Sequence, residues 1–411
     1  MSKRLNFHSG YHYNAVLSSL LLRTLMRMDL TMRSGSKMMV DVLTCDATDP
    51  KDRVYALYEI LHRQGILIPE PDYSKTVGKI YWEATVAICN NEHGLDLILL
   101  VTNLKDSFQD TPSWVPDLSA ASTPRNSANY IFFAATADKA DFTFSSDNRK
   151  IRTTAAIIDN ILEVSTIPTW QPGSSTCRIE DSFFTNLLEG YEQTIWALQT
   201  WFFMPFTKGY KSKYNNGTTE TNWDAYRETL LFGSPVLSYL KEYFNAWLDL
   251  VMCTYPTWRE IRLKEFIPDL DSQDPEAYLF PARIQHDPEL RGKFYDDPEL
   301  KHHTHVEEWK ILAAAKTIPG VRDVHHQVWM LSRDCVFFVT REGWMGIASL
   351  AVREGDVIAL IPGLRMPLVL RSVDGEEKGV YTVVASAYVH GIMKGEVWGE
   401  WRGKVERVTL I

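Results

Sequence analysis

Four groups of residues in this chain have types that could do chemistry. His302, His303 and His305 cluster, and His325 and His326 follow further along. Metal ligation would need three or four convergent N, S or O donors and a second shell to hold them. The neighbours here are Asp296, Asp297, Glu299, Glu307 and Glu308, so a solvated polar face is the favoured reading. His390 stands in Tyr388-Val389-His390-Gly391-Ile392-Met393. Acid–base work would need a nucleophile or acid beside it, and none is evident; a structural histidine bonded to nearby backbone is expected. Cys89, in Ile88-Cys89-Asn90-Asn91, has no cationic neighbour to lower its pKa and reads as an inert thiol. Asp49 and Asp52 could pair as carboxylates for acid–base work, but helix capping explains both. No G-x-G-x-x-G, G-x-x-x-x-G-K-[ST], H-E-x-x-H or G-x-S-x-G motif is present. No cofactor and no metal are expected, and no catalytic residue can be named.

The elements that must position these residues are readable in outline. Val16, Leu20, Leu21, Leu25 and Met28 predict an amphipathic helix over 15–30. Asp49 as N-cap, Pro50 at the first helical position and Asp52 in the first turn mark another start, with Lys51 and Arg53 completing a mixed-charge opening. Val54, Leu57, Tyr58 and Leu61 form its apolar stripe, and Gly65 ends it. A further helix after Ser74 should bury Val77, Ile80, Tyr81, Ala84 and Ile88 and stop between Asn90 and Gly94. Pro112-Ser113-Trp114-Val115-Pro116-Asp117 reads as an extended segment anchored by Trp114, because proline excludes a helix interior.

Residues 119–129 read as a polar loop, and strand signals follow at 130–134, 141–145 and 151–164. Helical spacing of Leu187, Leu188, Tyr191, Ile195, Trp196 and Leu198, and a second stretch near 235–252, make the middle helical. Pro268 to Glu299 is an acidic excursion. From Cys335 the pattern turns to period two, with strands at 335–340, 345–351, 356–361, 368–372 and 381–387 between glycine turns. This predicts a small antiparallel sheet or barrel.

Composition bounds the function class. The chain has 411 residues, 45% of them hydrophobic, which suffices for two or three domains with full cores. A formal net charge of -9 argues against general nucleic-acid binding. The 5 cysteines (Cys45, Cys89, Cys177, Cys253, Cys335) form no C-x-x-C pair, which points to reduced thiols. The N-terminus lacks an apolar signal core, and no apolar run reaches the roughly 18–20 residues of a membrane span. A cytoplasmic protein without membrane span is expected. Asn216-Gly217-Thr218 then reads as a turn.

Several blocks, in order, resemble the fungal heterokaryon-incompatibility (HET) family. Thr48-Asp49-Pro50-Lys51-Asp52-Arg53-Val54-Tyr55-Ala56-Leu57 looks like its "TDPRDKVYALLGL" segment, with Glu59 and Ile60 where Gly and Leu are usual. Pro71-Asp72-Tyr73-Ser74-Lys75-Thr76-Val77, then Tyr81, is similar to its "PDYSKSV…VY" block. Leu97 to Leu100 and Pro112-Ser113-Trp114-Val115-Pro116-Asp117 resemble its "LPSWVPDWS" block, and Ile157-Ile158-Asp159-Asn160-Ile161 the strand that follows the domain. Residues 338–396 resemble the C-terminal module of many such proteins, through Gly355-Asp356-Val357, Pro367-Leu368-Val369-Leu370-Arg371 and Tyr388-Val389-His390-Gly391. The family's opening "LSYVWG" strand and "IDAICINQ…ER" segment have no counterpart, so an N-terminally truncated HET domain is expected. No nucleotide chemistry of the related TIR-like half carries over.

The resemblance implies an α+β fold in four parts: 1–120 as the C-terminal half of a HET-like domain, 121–180 as a β-rich connection, 181–330 as a helical region and 331–411 as a C-terminal antiparallel β-module. It implies a non-enzymatic role in fungal non-self recognition or cell-death signalling through contacts with other proteins. The alternative is an accessory protein or enzyme of a secondary-metabolite cluster acting on a small apolar molecule. Its ligand pocket would be lined by Trp196, Trp201, Phe202, Phe203, Phe206 and Tyr210.

Overall fold

Local helix signals decide the first part of the chain. The computed structural model describes residues 34–43, 47–102, 108, 110–119, 132–165, 220–233, 235–252 and 335–411, with single positions within 198–214 and 320–328. The helix expected over 15–30, residues 120–129 and 268–299, and His302, His303, His305, His325 and His326 lie outside the described residues. So do Trp196, Phe202, Phe203, Phe206 and Tyr210.

Helix α1 (Gly35–Val42) is held at its start by a distant acid. The Glu92 carboxylate accepts from the Ser36 backbone N–H at 3.0 Å and from its hydroxyl, filling orphan donors at a positive dipole end. The helix expected from Asp49 is two short ones, α2 (Asp52–Tyr55) and α3 (Tyr58–Arg63). Asp49 accepts the Lys51 N–H at 2.9 Å and so caps the opening turn. Gly65, at φ +79, closes α3. Its N–H reaches His62 O, and the Ile66 N–H reaches back to Leu61 O, the paired bonds of a Schellman stop. Helix α4 (Val77–Glu92) starts on Thr76, whose hydroxyl accepts the Lys79 N–H. It buries Ile80, Tyr81, Ala84 and Ile88 and leads into a 3-10 turn, Asp96–Leu100.

The β region is a closed barrel. Its strands are β1 (Phe142–Phe144), β2 (Ile151–Val164), β3 (Cys335–Thr340), β4 (Met345–Ser349), β5 (Val357–Leu360), β6 (Leu368–Ser372), β7 (Val380–Val389) and β8 (Glu406–Leu410). The order β2-β3-β4-β7-β6-β5 returns to β2 through a β2–β5 pairing. Strand β2 is 14 residues long, enough to serve β1 and β8 with its first part, β5 with its middle and β3 with its end. Register shifts between Ile157 and Asp159 and between Ile161 and Glu163 bend it from one partner to the next. Pairing is antiparallel throughout except β7–β8, which is parallel.

The strands expected from Cys335 onward are present. Strand β8 and the short helix α7 (Trp398–Trp401) were not anticipated. The strand expected at 130–134 is absent over its described part. Its backbone N–H groups instead bond singly along the barrel: Phe133 to Met393 O, Ala134 to Arg365 O and Ala135 to Leu364 O. Strands β3, β4, β5 and most of β7 are buried on both faces, so their expected alternation is only partial. Strands β7 and β4 also meet the 96–102 segment, to which Ser386 Oγ (on Leu99 O, 2.8 Å) and Ser349 Oγ (on Thr102 O, 2.6 Å) donate.

The chain divides into two compact units. Met1–Val164, Pro172–Thr185 and Asp334–Ile411 form one; Ser165–Gln171 and Asn186–Arg333 form the other. In the second, α5 (Asn222–Leu230) is capped by Thr221. A 3-10 turn (Pro235–Leu240) then leads into α6 (Lys241–Met252), where the sequence predicts a helical stretch. Tyr226, Phe244 and Trp247 form its buried aromatic core. Helices plus a largely antiparallel sheet make the fold α+β. Among the described residues no helix is long and apolar enough to cross a membrane.

Candidate functional site

Two blocks of the first half stitch to each other. The Tyr55 hydroxyl donates to Asp72 O at 2.8 Å and accepts from the Asp72 N–H at 2.9 Å. The Tyr73 hydroxyl donates to Asp52 Oδ1 at 2.6 Å, and Lys51 Nζ donates to Tyr73 O at 2.7 Å. The Tyr55 and Tyr73 rings meet edge-on at 5.2 Å. Tyr81 donates to Pro50 O at 2.7 Å, which ties α4 to the same turn. Burial, and secondarily Asp117, pushes its phenol up.

The charges of this cluster are spent locally. The Asp72 carboxylate accepts both the hydroxyl and the N–H of Ser74, which hold it below the usual carboxylate range. Ser74 Oγ therefore faces an acid rather than an imidazole. Asp52 pushes the Tyr73 phenol up by accepting its proton bond. Arg53 reaches Leu43 O at 3.2 Å, and Pro71 is exposed at the edge of the block. A depression lined by Val54, Tyr55, Ile68, Ile80 and Glu83 encloses about 10 Å³, room for about one water molecule.

The Pro112–Asp117 block is a turn rather than the extended segment expected, because the Val115 N–H folds back onto Pro112 O at 3.1 Å. Trp114 is fully buried against Phe144, and Pro116 is buried beside it. Its indole N–H donates to Arg149 O at 3.2 Å. Asp117 accepts the N–H and hydroxyl of Ser119. Ser113 clasps two strands: the Val383 N–H donates to its Oγ at 2.9 Å, and its hydroxyl and N–H both donate to Ile411 O.

In the barrel, Asp356 is 3% exposed and receives a bidentate guanidinium. Arg371 Nε donates to Oδ1 at 2.7 Å and Nη2 to Oδ2 at 2.8 Å. The Arg353 N–H adds a bond to Oδ2, and Arg371 Nη2 also reaches Ala351 O. Gly355, at φ +88, turns the chain into this site, a conformation that favours glycine. Asp159 accepts the N–H groups of Asn160 and Glu342, each at 2.7 Å, closing the β2–β3 junction. His390 sits at the end of β7, its N–H on Met345 O and its Nδ1 3.3 Å from the Tyr388 hydroxyl. Gly391 follows at φ +81. Cys89 is fully buried, and burial pushes its thiol up, away from the thiolate.

The residues singled out in the sequence thus gather into three places: the Asp49–Ser74 stitch, the Ser113–Trp114 clasp and the Asp356–Arg371 pair. The structure does not bring His390 or Cys89 to any of them. Ser113, Asp159 and Arg371 carry as much of the bonding as the residues singled out for the site. Each lies inside a block readable in the sequence, but nothing local says which backbone it will reach. Among the described residues no group of three His, Cys, Asp or Glu side chains could hold a metal ion.

Residues 307–404 match the family model described as the Het-6 beta-barrel domain. The match supports a heterokaryon-incompatibility-type protein. It covers a minority of the chain and leaves out β2, which closes the barrel, as well as β1 and β8. No curated protein and no solved structure matches.

Proposed function

We propose that this chain is a non-enzymatic heterokaryon-incompatibility-type protein, acting in fungal non-self recognition or cell-death signalling through contacts with other proteins. In this reading residues 1–120 correspond to the later half of a HET-like domain, 121–180 are a β-rich connection, 181–330 a helical region and 331–411 the barrel module. The site of action is cytoplasmic.

One observation carries the proposal. The charged and aromatic residues of the family blocks are engaged in internal bonds, such as Tyr73 on Asp52 and Arg371 on Asp356. Groups so engaged hold a surface in shape rather than wait for a substrate. The depression beside Tyr55, at about 10 Å³, is far below the ~300–1,000 Å³ of small-molecule sites.

Induced expression of the full chain in a filamentous fungus tests this reading, with dead cells counted by a vital dye. Death or arrest that is reduced by Arg371→Ala is expected. A wild-type chain that leaves viability and growth unchanged, while altering the small-molecule profile of the host, would sink it.

A further inference from the structure

The outer face of β1, β2 and β8 carries cations that the bonds described above do not use. Register sets their positions. Arg152 pairs with Thr143 on β1 and with Thr409 on β8, and Thr154 pairs with Arg407. Side chains alternate along a strand, and directly paired residues share a face. Ile151, Thr153, Ala155, Val408 and Leu410 are buried, so Arg152, Thr154, Arg407 and Thr409 point the other way. Arg152, Arg407 and Thr143 are exposed, and Thr154 and Thr409 are partly so. Lys150 is exposed in the same alternation, two residues before Arg152. Among the described residues Lys150, Arg152 and Arg407 form no ion pair.

This arrangement favours an anion. Arg152 and Arg407 are diagonal cross-strand neighbours, roughly 7 Å apart at the backbone, where like charges repel unless they share a counter-ion. Each guanidinium offers a fork that matches a carboxylate, and the threonine hydroxyls between them add donors. The support is pre-ordered. The β1–β2 turn is held by Ser145 bonding to both ends of the Lys150 backbone. The indoles of Trp82 and Trp114 donate to Asn148 O and Arg149 O at 3.0 and 3.2 Å, so little order has to be imposed on binding. Three acids lie nearby: Asp141 is exposed at the margin, Asp147 is exposed in the turn with its carboxylate on the Ser145 hydroxyl and the Arg149 N–H, and Glu406 pairs with Ala155 in the opposite alternation.

We infer that this face docks a short, carboxylate-rich peptide segment of a partner protein. The chain as a whole carries a net charge of -9, which repels an extended polyanion or an anionic membrane. A short segment meets only the local cations. The inference stands apart from the cell-death reading, since it concerns binding by the purified chain.

Fluorescence anisotropy on the full chain tests it, with a short labelled peptide of alternating glutamate and glycine as probe. Binding that weakens with added salt is expected. The charge-reversed variant K150E/R152E/R407E should bind at least about tenfold more weakly, since exposed charge contacts each contribute modestly but three are removed together. Its circular dichroism should match the wild type; if it does not, the neutral variant K150Q/R152Q/R407Q makes the same comparison. Equal binding by wild type and variant, or no binding by wild type, overturns the proposal. So does binding of a single-stranded DNA oligonucleotide or phosphatidylserine vesicles through the same residues in preference to the peptide.

Discussion

Arg371 on β6 grips Asp356 at the entrance to β5 with two parallel bonds of 2.7 and 2.8 Å. The carboxylate is almost wholly buried, while the guanidinium remains 33% exposed. Removing the arginine would strand a buried charge. Arg371→Ala is expected to cost about 2–3 kcal/mol, below the range for a fully buried pair because solvent reaches one partner. Lysine at the same position, with one point charge in place of a fork, should recover only part of this. Urea unfolding of the two variants measures both.

Ser113 contributes through two bonds at once. Ser113→Ala would leave the buried Val383 N–H without its acceptor and remove the hydroxyl bond to Ile411 O, which keeps the Ser113 N–H as donor. A loss of about 1–3 kcal/mol is expected. Faster hydrogen exchange at Val383 than at Leu370, on neighbouring β6, would show that the effect is local.

Gly346 on β4 leaves no room for a methyl group. A Cβ there would lie 2.3 Å from Phe338 Cζ and 2.6 Å from Tyr388 O. The backbone oxygen cannot move away without breaking the β4–β7 ladder. Gly346→Ala should destabilise by about 1–3 kcal/mol or more through overpacking, read as a lower melting temperature. Gly343→Ala meets no atom within 4 Å but must hold φ at +93, so any cost there comes from backbone strain.

The Asp52 carboxylate holds the Tyr73 phenol in its protonated form. The neutral phenol is the bonded form, so the Tyr73 pKa is raised above its ordinary 10.0. The bond's contribution is complete below that value and is lost as pH rises through the folded pKa. Asp52→Asn should bring the Tyr73 tyrosinate absorbance step back toward pH 10. A step that does not move would show that the bond does not persist in solution.

Asp72 behaves in the opposite sense. Its folded pKa is depressed, chiefly by the Ser74 hydroxyl. The Asp72–Ser74 bonds are therefore complete above the ordinary carboxylate value of 3.8 and weaken as pH falls through the lower folded one. Amide exchange at Ser74 followed with pH should show this loosening, and Ser74→Ala should shift it to higher pH.

Much of the local structure follows from the sequence by itself. Asp49 and Gly65 mark a helix opening and a helix end because caps and left-handed stops act over a few residues. The strands after Cys335 announce themselves by period and turn glycines. The resemblance of residues 338–396 to a heterokaryon-incompatibility module finds support in the match at residues 307–404. Tertiary structure alone decides what those elements do for one another. Strand β2 closes the barrel across a large sequence gap, as Asp159 reaching the Glu342 N–H shows, and no local pattern encodes such a partner. The turn at Ser113 depends on the Val383 and Ile411 backbones for its bonds. The cations Arg152 and Arg407 become one face only when β8 returns to pair with β2. Caps and periodicity are short-range and sit in the residues themselves; ladder partners and shared faces depend on chain closure, which exists only once the strands have met.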